Sequence, residues 1–310
     1  MVTGQAMNSP EIKSQRQQNV LNYKFIVNPA AGQKNADQII DSIKEVFAFS
    51  NSSFDFHVTT GPGNAISVAE YAAQNGADVV VAVGGDGTVN EVVNGLADND
   101  AVLGVIPTGT GNDFAQAVDM PFEVKKASKQ LLRGMTRTID LGKVGDRLFI
   151  NLVGVGFDGA VANLTNKNGK RVQGSLMYLI SVLRTLFTYK TVPMKITLDD
   201  QSFETNPMLV AVGIGPSYGG GINIVPQAVQ DDGYFDVCVI DSISKPVGLY
   251  YLAQALRGNH EKLKKTNIYR SSYVKLESAK EIPFHVEGEV FYSDEIEFTI
   301  TPREIEVITG

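Results

Sequence analysis

Asp78-Val79-Val80-Val81-Ala82-Val83-Gly84-Gly85-Asp86-Gly87-Thr88-Val89-Asn90-Glu91 decides how this chain is read. A valine-rich run ends in a glycine pair, and Val89, Val92, Val93 and Leu96 then recur at helical spacing. The pattern predicts a strand, a tight loop and a helix. About twenty residues on, Ala101-Val102-Leu103-Gly104-Val105-Ile106 runs into Pro107-Thr108-Gly109-Thr110-Gly111-Asn112-Asp113 and a shorter helical pattern, so the unit occurs twice.

Glycine lacks a Cβ, reaches positive φ at low cost and lets a backbone come close to a ligand. The helix that follows such a loop aims unpaired N–H groups at an anion. Two such loops on neighbouring parallel strands open onto one crevice at the carboxyl edge of the sheet, where ligands of open α/β sheets bind. A polyphosphate suits that crevice. Asp86 would repel bare phosphate unless a divalent cation lay between them, so it reads as serving Mg²⁺, with Thr88, Asn90 and Glu91 nearby. The competing reading is a plain strand-to-helix turn with Asp86 as a helix cap.

Gly84 to Glu91 resembles the nucleotide signature of the diacylglycerol kinase catalytic domain and its bacterial lipid-kinase relatives, and Pro107 to Asp113 resembles their second signature. NAD kinases and phosphofructokinases share the first; the pair at this spacing is specific. The resemblance implies that Gly85, Asp86, Gly87, Thr88, Val89, Asn90, Glu91 and Thr110 contact the nucleotide, with Asp86 also catalytic. Asn28-Pro29-Ala30-Ala31-Gly32 is similar to the family's Asn-Pro-x-Ser-Gly loop, with Ala31 replacing serine, which assigns Asn28 and Gly32 to the nucleotide. Thr59 is similar to the threonine that opens another nucleotide-contacting segment, with Asn64 in place of its aspartate. From the residues alone, each reads equally well as a cap or turn residue.

At 310 residues, 43% hydrophobic and 20% charged, the chain is long and apolar enough for two ordinary domains. Its net charge of −7 and pI near 5.1 argue against nucleic acid as a partner and give no general attraction to anionic membrane. One cysteine, Cys238, forms no internal disulfide and reads as a buried small hydrophobe. With three histidines it leaves too little for a zinc site. Met1 to Val20 is polar, lacks the apolar stretch of a secretory leader and reads as a tail. Leu176 to Leu183, interrupted by Arg184, falls far short of the roughly 20 residues that span a bilayer. The expected location is cytoplasmic, peripheral to the inner face of the membrane.

Strand and helix alternate from Tyr23 to about Val118: strands at 23–27 and 54–58, an amphipathic helix through Ile39, Ile40, Ile43, Val46 and Phe47, and a helix through Ile66, Ala69 and Ala73. This predicts a Rossmann-like α/β domain with a parallel sheet over 21–137, and a helix at about 123–133 closes it. From Thr138 strand signals dominate, with a Gly145-Asp146 turn, a strand over Leu148–Val155, and further strands at 194–198, 208–214, 234–240, 273–276 and toward 300 and 308. A β-rich, largely antiparallel sandwich is expected over 138–295, with helices at 175–189 and 246–257. The resemblance implies a phosphofructokinase- and NAD-kinase-like first domain, to which the last strands near 296–310 return. Leu176, Leu179, Ile180, Leu183, Leu186 and Phe187 make a stripe read as core-facing. Gly215 to Gly221 is read as a connecting loop.

Phosphoryl transfer needs a positioned hydroxyl, a base for its proton, and metal to offset phosphate charge. Phe284-His285-Val286-Glu287-Gly288-Glu289 supplies carboxylates around a glycine; by itself it reads as an exposed acidic turn. It resembles the family's Asp-Gly-Glu motif, which implies Glu289 as general base, with Glu287 in place of aspartate. Val229-Gln230-Asp231-Asp232-Gly233-Tyr234 resembles the family's structural Mg²⁺ loop, implying Asp232 with the Val229 and Tyr234 carbonyls as ligands; a metal-free β-turn is the alternative. His57, His260 and His285 show no partner spacing, and Lys125, Lys126, Lys129 and Arg133, like Lys262, Lys264, Lys265 and Arg270, read as solvated basic faces.

The expected protein is an ATP- and Mg²⁺-dependent lipid kinase, with diacylglycerol as first substrate and phosphatidylglycerol or a sphingoid base next. It would meet its lipid at a membrane surface, without a transmembrane segment, and a homodimer is compatible with the sequence. The rivals are NAD kinase, which shares Gly84 to Thr88 only, and a nucleotide- or lipid-binding relative without turnover, which Ala31, Asn64 and Glu287 keep open.

Overall fold

Strands that read as unbroken valine are those buried on both faces, as in a parallel sheet covered by helices on each side. The computed structural model describes residues 20–32, 35–167 and 175–310; nearly all of the expected tail lies outside the described residues. In chain order its first half is β1 (Asn22–Val27), α1 (Ala36–Phe47), β2 (Ser53–Val58), α2 (Asn64–Gln74), β3 (Val79–Gly84), α3 (Asp86–Leu96), β4 (Val102–Pro107), α4 (Asp113–Ala117) and α5 (Val124–Arg133). β3 and β4 are buried along their whole length. The order β2-β1-β3-β4 is parallel throughout, with Val81 opposite Phe25 on one side and Gly104 on the other. The loops leaving β1, β3 and β4 therefore emerge side by side. Asn35 caps α1, its side chain accepting the Asp37 N–H at 2.9 Å.

The second half is β5 (Thr136–Val144), β6 (Arg147–Phe149), β7 (Leu152–Gly156), α6 (Phe157–Lys167), α7 (Ser175–Thr188), β8 (Met194–Leu198), β9 (Ser202–Thr205), β10 (Pro207–Gly213), β11 (Ser217–Tyr218), β12 (Ile222–Asn223), β13 (Phe235–Asp241), α8 (Lys245–Ala255), β14 (Thr266–Ser271), β15 (Tyr273–Val286) and β16 (Glu289–Ile308). Pairing among these strands is antiparallel. β15 serves two layers: Val274–Ser278 pairs with β8, and Phe284–Val286 pairs with β7. A register shift between Glu277 and Ile282 lets it bend from one to the other. Between the layers lie Phe149 and Phe235, stacked at 5.8 Å, with Phe298 edge-on to Phe149 at 6.3 Å. The α/β first part and the antiparallel, β-rich second part are the expected fold class.

β16 ties the parts together. Its 20 residues begin on β15, run along β5, and end with Val307 paired in parallel with Leu103 of β4. Ile305, Val307 and Ile308 pack in the core of the parallel sheet.

Three features depart from expectation. The run 148–155 is broken at Ile150 and Asn151, whose N–H groups donate to the Glu287 carboxylate at 3.3 and 2.9 Å instead of joining a ladder. α6 stands where the sequence pattern gives no helix: Gly156 and Gly159 disguise its start, although Gly159 is there because a Cβ would overlap the Pro283 backbone. The stripe on α7 is not wholly core. Val182 and Leu186 are buried, but Leu179, Ile180 and Phe187 are exposed, while the inward face includes Ser181 and Thr185; the side chain of Leu176 lies outside those described. The helix turns Leu186 toward Gly248 of α8, leaving its apolar flank outward.

Gly95 tests the packing of α2 on α3. Alanine in a helix interior ordinarily gains about 1 kcal/mol over glycine, but a Cβ at Gly95 would overlap the Ile66 carbonyl oxygen and approach Ala69 Cβ to 2.8 Å. Overpacking wins, so Gly95→Ala lowers stability by about 1–3 kcal/mol, read as a lower urea midpoint; a higher midpoint would refute the packing.

Candidate active site

At the carboxyl edge of the parallel sheet, three loops touch backbone to backbone. A Cβ at Gly32 would overlap the Thr108 carbonyl, and one at Gly109 would overlap Gly85 Cα. Gly32 has φ 71°, in the left-handed region that glycine reaches freely. Asn28 joins the first loop to the second, its Nδ2 donating to Thr88 Oγ1 at 2.9 Å while its Oδ1 accepts the Ala30 N–H at 2.9 Å. The Thr108 hydroxyl is buried there with no partner among the described residues. An unsatisfied hydroxyl beside loops that only glycine permits fits an oxygen-rich anion such as a phosphate chain. Thr110 is exposed, Gly87 opens to solvent, and Thr59 is buried at the end of β2.

The carboxylates around these loops act largely as helix and loop anchors. Asp86, the first residue of α3, does not cap its own helix: its oxygens accept the N–H groups of Asn112 at 2.8 Å and Phe114 at 3.0 Å, holding the second signature against the first. Burial pushes its carboxyl above the usual range; the Phe114 and Asn112 N–H groups oppose that, and neighbouring Asp113 reinforces it. Glu91 takes the Gly63 N–H at 3.0 Å and the Ala65 N–H at 3.1 Å, closing the start of α2. Val89 packs in the core. Asn90 donates to the Leu148 carbonyl at 3.0 Å, docking α3 on β6.

Across the seam, Asp113 holds the glycine loop between β11 and β12. It accepts from Gly220 N at 2.8 Å, Gly221 N at 2.6 Å and Ser217 Oγ at 3.2 Å. The segment read as a plain connection is thus fastened to the second signature. Next to it, Glu287 and Gly288 form the two-residue turn between β15 and β16, with φ 48° and 90°. Primed turns of this kind favour Asn-Gly; here Glu287 is held by its side chain, which accepts from the Ile150 and Asn151 N–H groups and from Asn151 Nδ2 at 3.1 Å. Burial raises its carboxyl to about 7, against the pull of the Asn151 bonds and with the help of the Asp86 charge. Glu289, on the first residue of β16, is exposed and ion-paired with Arg147, the neighbour of the Leu148 on which α3 docks.

Residues 22–144 match the family model of the diacylglycerol kinase catalytic domain, and residues 151–309 match the YegS C-terminal NAD kinase beta sandwich-like domain. A diacylglycerol kinase of Staphylococcus epidermidis is 31% identical over 288 residues, covering 92% of this chain and 91% of its own length. That of Bacillus subtilis is 31% identical over 288 residues, covering 92% and 95%. The chain belongs to the diacylglycerol kinase family. A crystal structure of a diacylglycerol kinase from Bacillus anthracis superposes with a TM-score of 0.74 at 25% identity, over 93% of this chain and 97% of that one. As a member of this family the protein is a kinase with a lipid alcohol as acceptor, and family membership implies ATP as phosphate donor. Among the described residues, no helix is long and apolar enough to cross a membrane.

For this kinase the loop 229–234 holds only oxygen donors. Asp232 accepts its own turn's Tyr234 N–H at 3.1 Å and pairs with Arg270; Gly233 N donates to Asp140 Oδ2 at 2.8 Å. The loop borders a pocket of about 380 Å³. Nearby Asp236 is raised to about 6, mostly by burial, with Arg270 opposing and the Asp232 and Glu261 charges adding. Carboxylates gathered around one guanidinium are a setting that a hard cation suits, and the donors fit Mg²⁺ in kind, though an ion on both Asp232 oxygens would displace Arg270. No group of three or more His, Cys, Asp or Glu residues suited to a metal occurs among the described residues.

Two pairs join side chains more than a hundred residues apart. Asn151 and Glu287 meet across 136 residues of chain. His285, for which the sequence shows no partner spacing, lies 2.8 Å from Asp158 through Nε2, 127 residues away, with both side chains buried. No local spacing announces either pair. His260, also buried, contacts the Ile224 carbonyl at 2.8 Å, and half-buried His57 contacts Asn64 Oδ1 at 3.1 Å.

The raised Glu287 carboxyl makes stability pH-dependent. Below 4.5 it is protonated folded or unfolded; between 4.5 and about 7 the folded state alone keeps the proton, so its contribution to stability falls as pH rises and levels off above about 7. In Glu287→Gln this term is absent, so the variant's stability relative to wild type improves by about 3 kcal/mol between pH 4.5 and 8. Denaturant melts at the two pH values check it, and a parallel pH response in both proteins contradicts it.

Proposed function

We propose that the protein transfers the γ-phosphoryl group of ATP to the free hydroxyl of diacylglycerol, giving phosphatidic acid and ADP. The observation that carries this reading is the junction of three glycine loops with the hairpin of Glu287 and Glu289, through Asn90, Asp113 and the Leu148 segment. In this reading Asn28, Gly32, Thr59, Gly85, Gly87, Thr88 and Thr110 frame the nucleotide, while Asp86, Val89, Asn90 and Glu91 keep the loops in place. The open start of α3 offers N–H groups to phosphate oxygens. Mg²⁺, when bound, offsets phosphate charge, and a second, structural ion would use Asp232 with the Val229 and Tyr234 carbonyls.

Glu289 takes the proton of the lipid hydroxyl as its oxygen attacks the γ-phosphorus and the bond to the ADP oxygen breaks. Arg147 must release Glu289 for this, and Arg147 rests against the Phe291 ring at 4.7 Å, ready to hold it between turnovers. A second reading gives the proton to Glu287, favoured by its carboxyl near 7, a value suited to a base at neutral pH. Contact with the membrane is supported by α7 and α8, which expose Leu179, Ile180, Phe187, Val247, Leu249 and Tyr250. Their segments, 175–198 and 242–260, contain no Asp or Glu while carrying Arg184, Lys190, Lys195, Lys245 and Arg257. A peripheral, cytoplasmic enzyme at the inner membrane face follows from this reading.

The test is labelled ATP with vesicles containing diacylglycerol, phosphatidylglycerol or a sphingoid base, and NAD as a soluble control. Diacylglycerol is expected to take the label fastest, Mg²⁺ chelation to stop transfer, and Glu289→Gln to bind ATP normally while turnover falls about 100-fold or more. Full turnover in Glu289→Gln removes Glu289 from its role; loss in Glu287→Gln alone moves the base to Glu287; labelling of NAD alone overturns the lipid assignment.

A further inference from the structure

The hairpin that carries both glutamates rests on a buried pair that the reaction does not use. His285, on β15 immediately before Val286, directs Nε2 to Asp158 Oδ2 at 2.8 Å. Its other nitrogen, Nδ1, receives the N–H of Gly288, the turn glycine, at 3.3 Å. A nitrogen that accepts an N–H carries no proton, so Nε2 is the one that bears hydrogen and Asp158 the group that receives it. Asp158 is built into place: it lies in the first turn of α6, and a Cβ on Gly154, the residue opposite His285 on β7, would overlap its carboxylate. The Tyr218 ring, on the strand beside the loop fastened to Asp113, lies 5.5 Å from the imidazole.

We infer that His285 and Asp158 are a positioning pair: Asp158 fixes the imidazole as its neutral Nε2–H tautomer, and Nδ1 then holds the Gly288 amide and with it the turn that presents Glu287 and Glu289. The proposal rests on the kinase reading for its consequence in turnover, not for its geometry. Such second-layer partners orient the groups that do chemistry. A proton added to Nδ1 converts the acceptor to a donor facing the Gly288 N–H, and the turn is released. The ionisable groups facing the imidazole are Asp158 from α6, Glu287 from the turn and the Tyr218 phenol from β11. Burial disfavours the imidazolium, but Asp158 and then Glu287 favour it more strongly, so the proton enters above the ordinary histidine range. Turnover therefore falls on acidification.

Two isosteres separate the two bonds. Asparagine places an oxygen near Nδ1 and keeps an acceptor for Gly288; glutamine places its amide near Nε2 and keeps only the donor to Asp158. At pH 8.5, with ATP and diacylglycerol vesicles, His285→Ala and His285→Gln are expected to lose about 10-fold or more in kcat with KM for ATP within about twofold. His285→Asn is expected to recover to within about threefold of wild type, and to lose the acid limb that wild type shows. Equal losses in Asn and Gln, or an unchanged acid limb in Asn, would overturn the proposal. Nitrogen-15 NMR of the wild-type full chain, which has three histidines, reads the pair without any turnover: at pH 8.5 His285 should show a protonated Nε2 and a bare Nδ1. A protonated Nδ1 would refute the positioning role even in an active kinase. The expected tautomer in a protein that phosphorylates no lipid would leave the pair standing and remove the kinase reading.

Discussion

Contact between Gly85 and Gly109, with Gly32 pressed against Thr108, is the constraint on which the rest is arranged. Peptide planes this close admit no side chain between them, so the three strand ends must lie side by side and in register, which is what the parallel order β1-β3-β4 supplies. Asp86 holds the approach by taking two N–H groups of the neighbouring loop, and Asp113 extends it by taking two more from the far side of the seam. Charge is used here to gather amides. A raised carboxyl at Asp86 is the cost of placing it where water is scarce.

The other half is organised by a turn instead of a helix start. Glu287 bends the chain at a φ that few non-glycine residues adopt, and its own carboxylate secures the bend by capturing the amides of Ile150 and Asn151. That capture breaks the strand that the sequence predicts over 148–155. One carboxylate thus sets both the hairpin and the gap in the strand facing it. The adjacent Glu289 is left exposed, paired with the Arg147 guanidinium.

How much of this could be read from the residues follows from range. The valine runs, the two glycine loops and the helices at 36–47 and 124–133 declare themselves because period and punctuation are local. The roles of Glu91 and Asp86 as anchors for other elements could not be read so, since the N–H groups they take belong to segments 26 to 28 residues away. His285 and Asp158 are farther apart still. The α7 stripe misled for a different reason: apolar spacing says which face is greasy, not what lies against it, and Leu179, Ile180 and Phe187 face outward.

β16 couples the assembly order of the two parts. Until residues 305–308 have been made, the outer edge of β4 lacks its neighbour and the valine core beneath it is open on that side. The parallel sheet, although encoded before the antiparallel layers, is completed by a segment emerging from the ribosome after them, so a nascent chain carries an unsealed sheet margin until residues 305–308 have been made. The two lobes are in this sense threaded on one ribbon: neither can be excised as a contiguous stretch without taking a strand from the other.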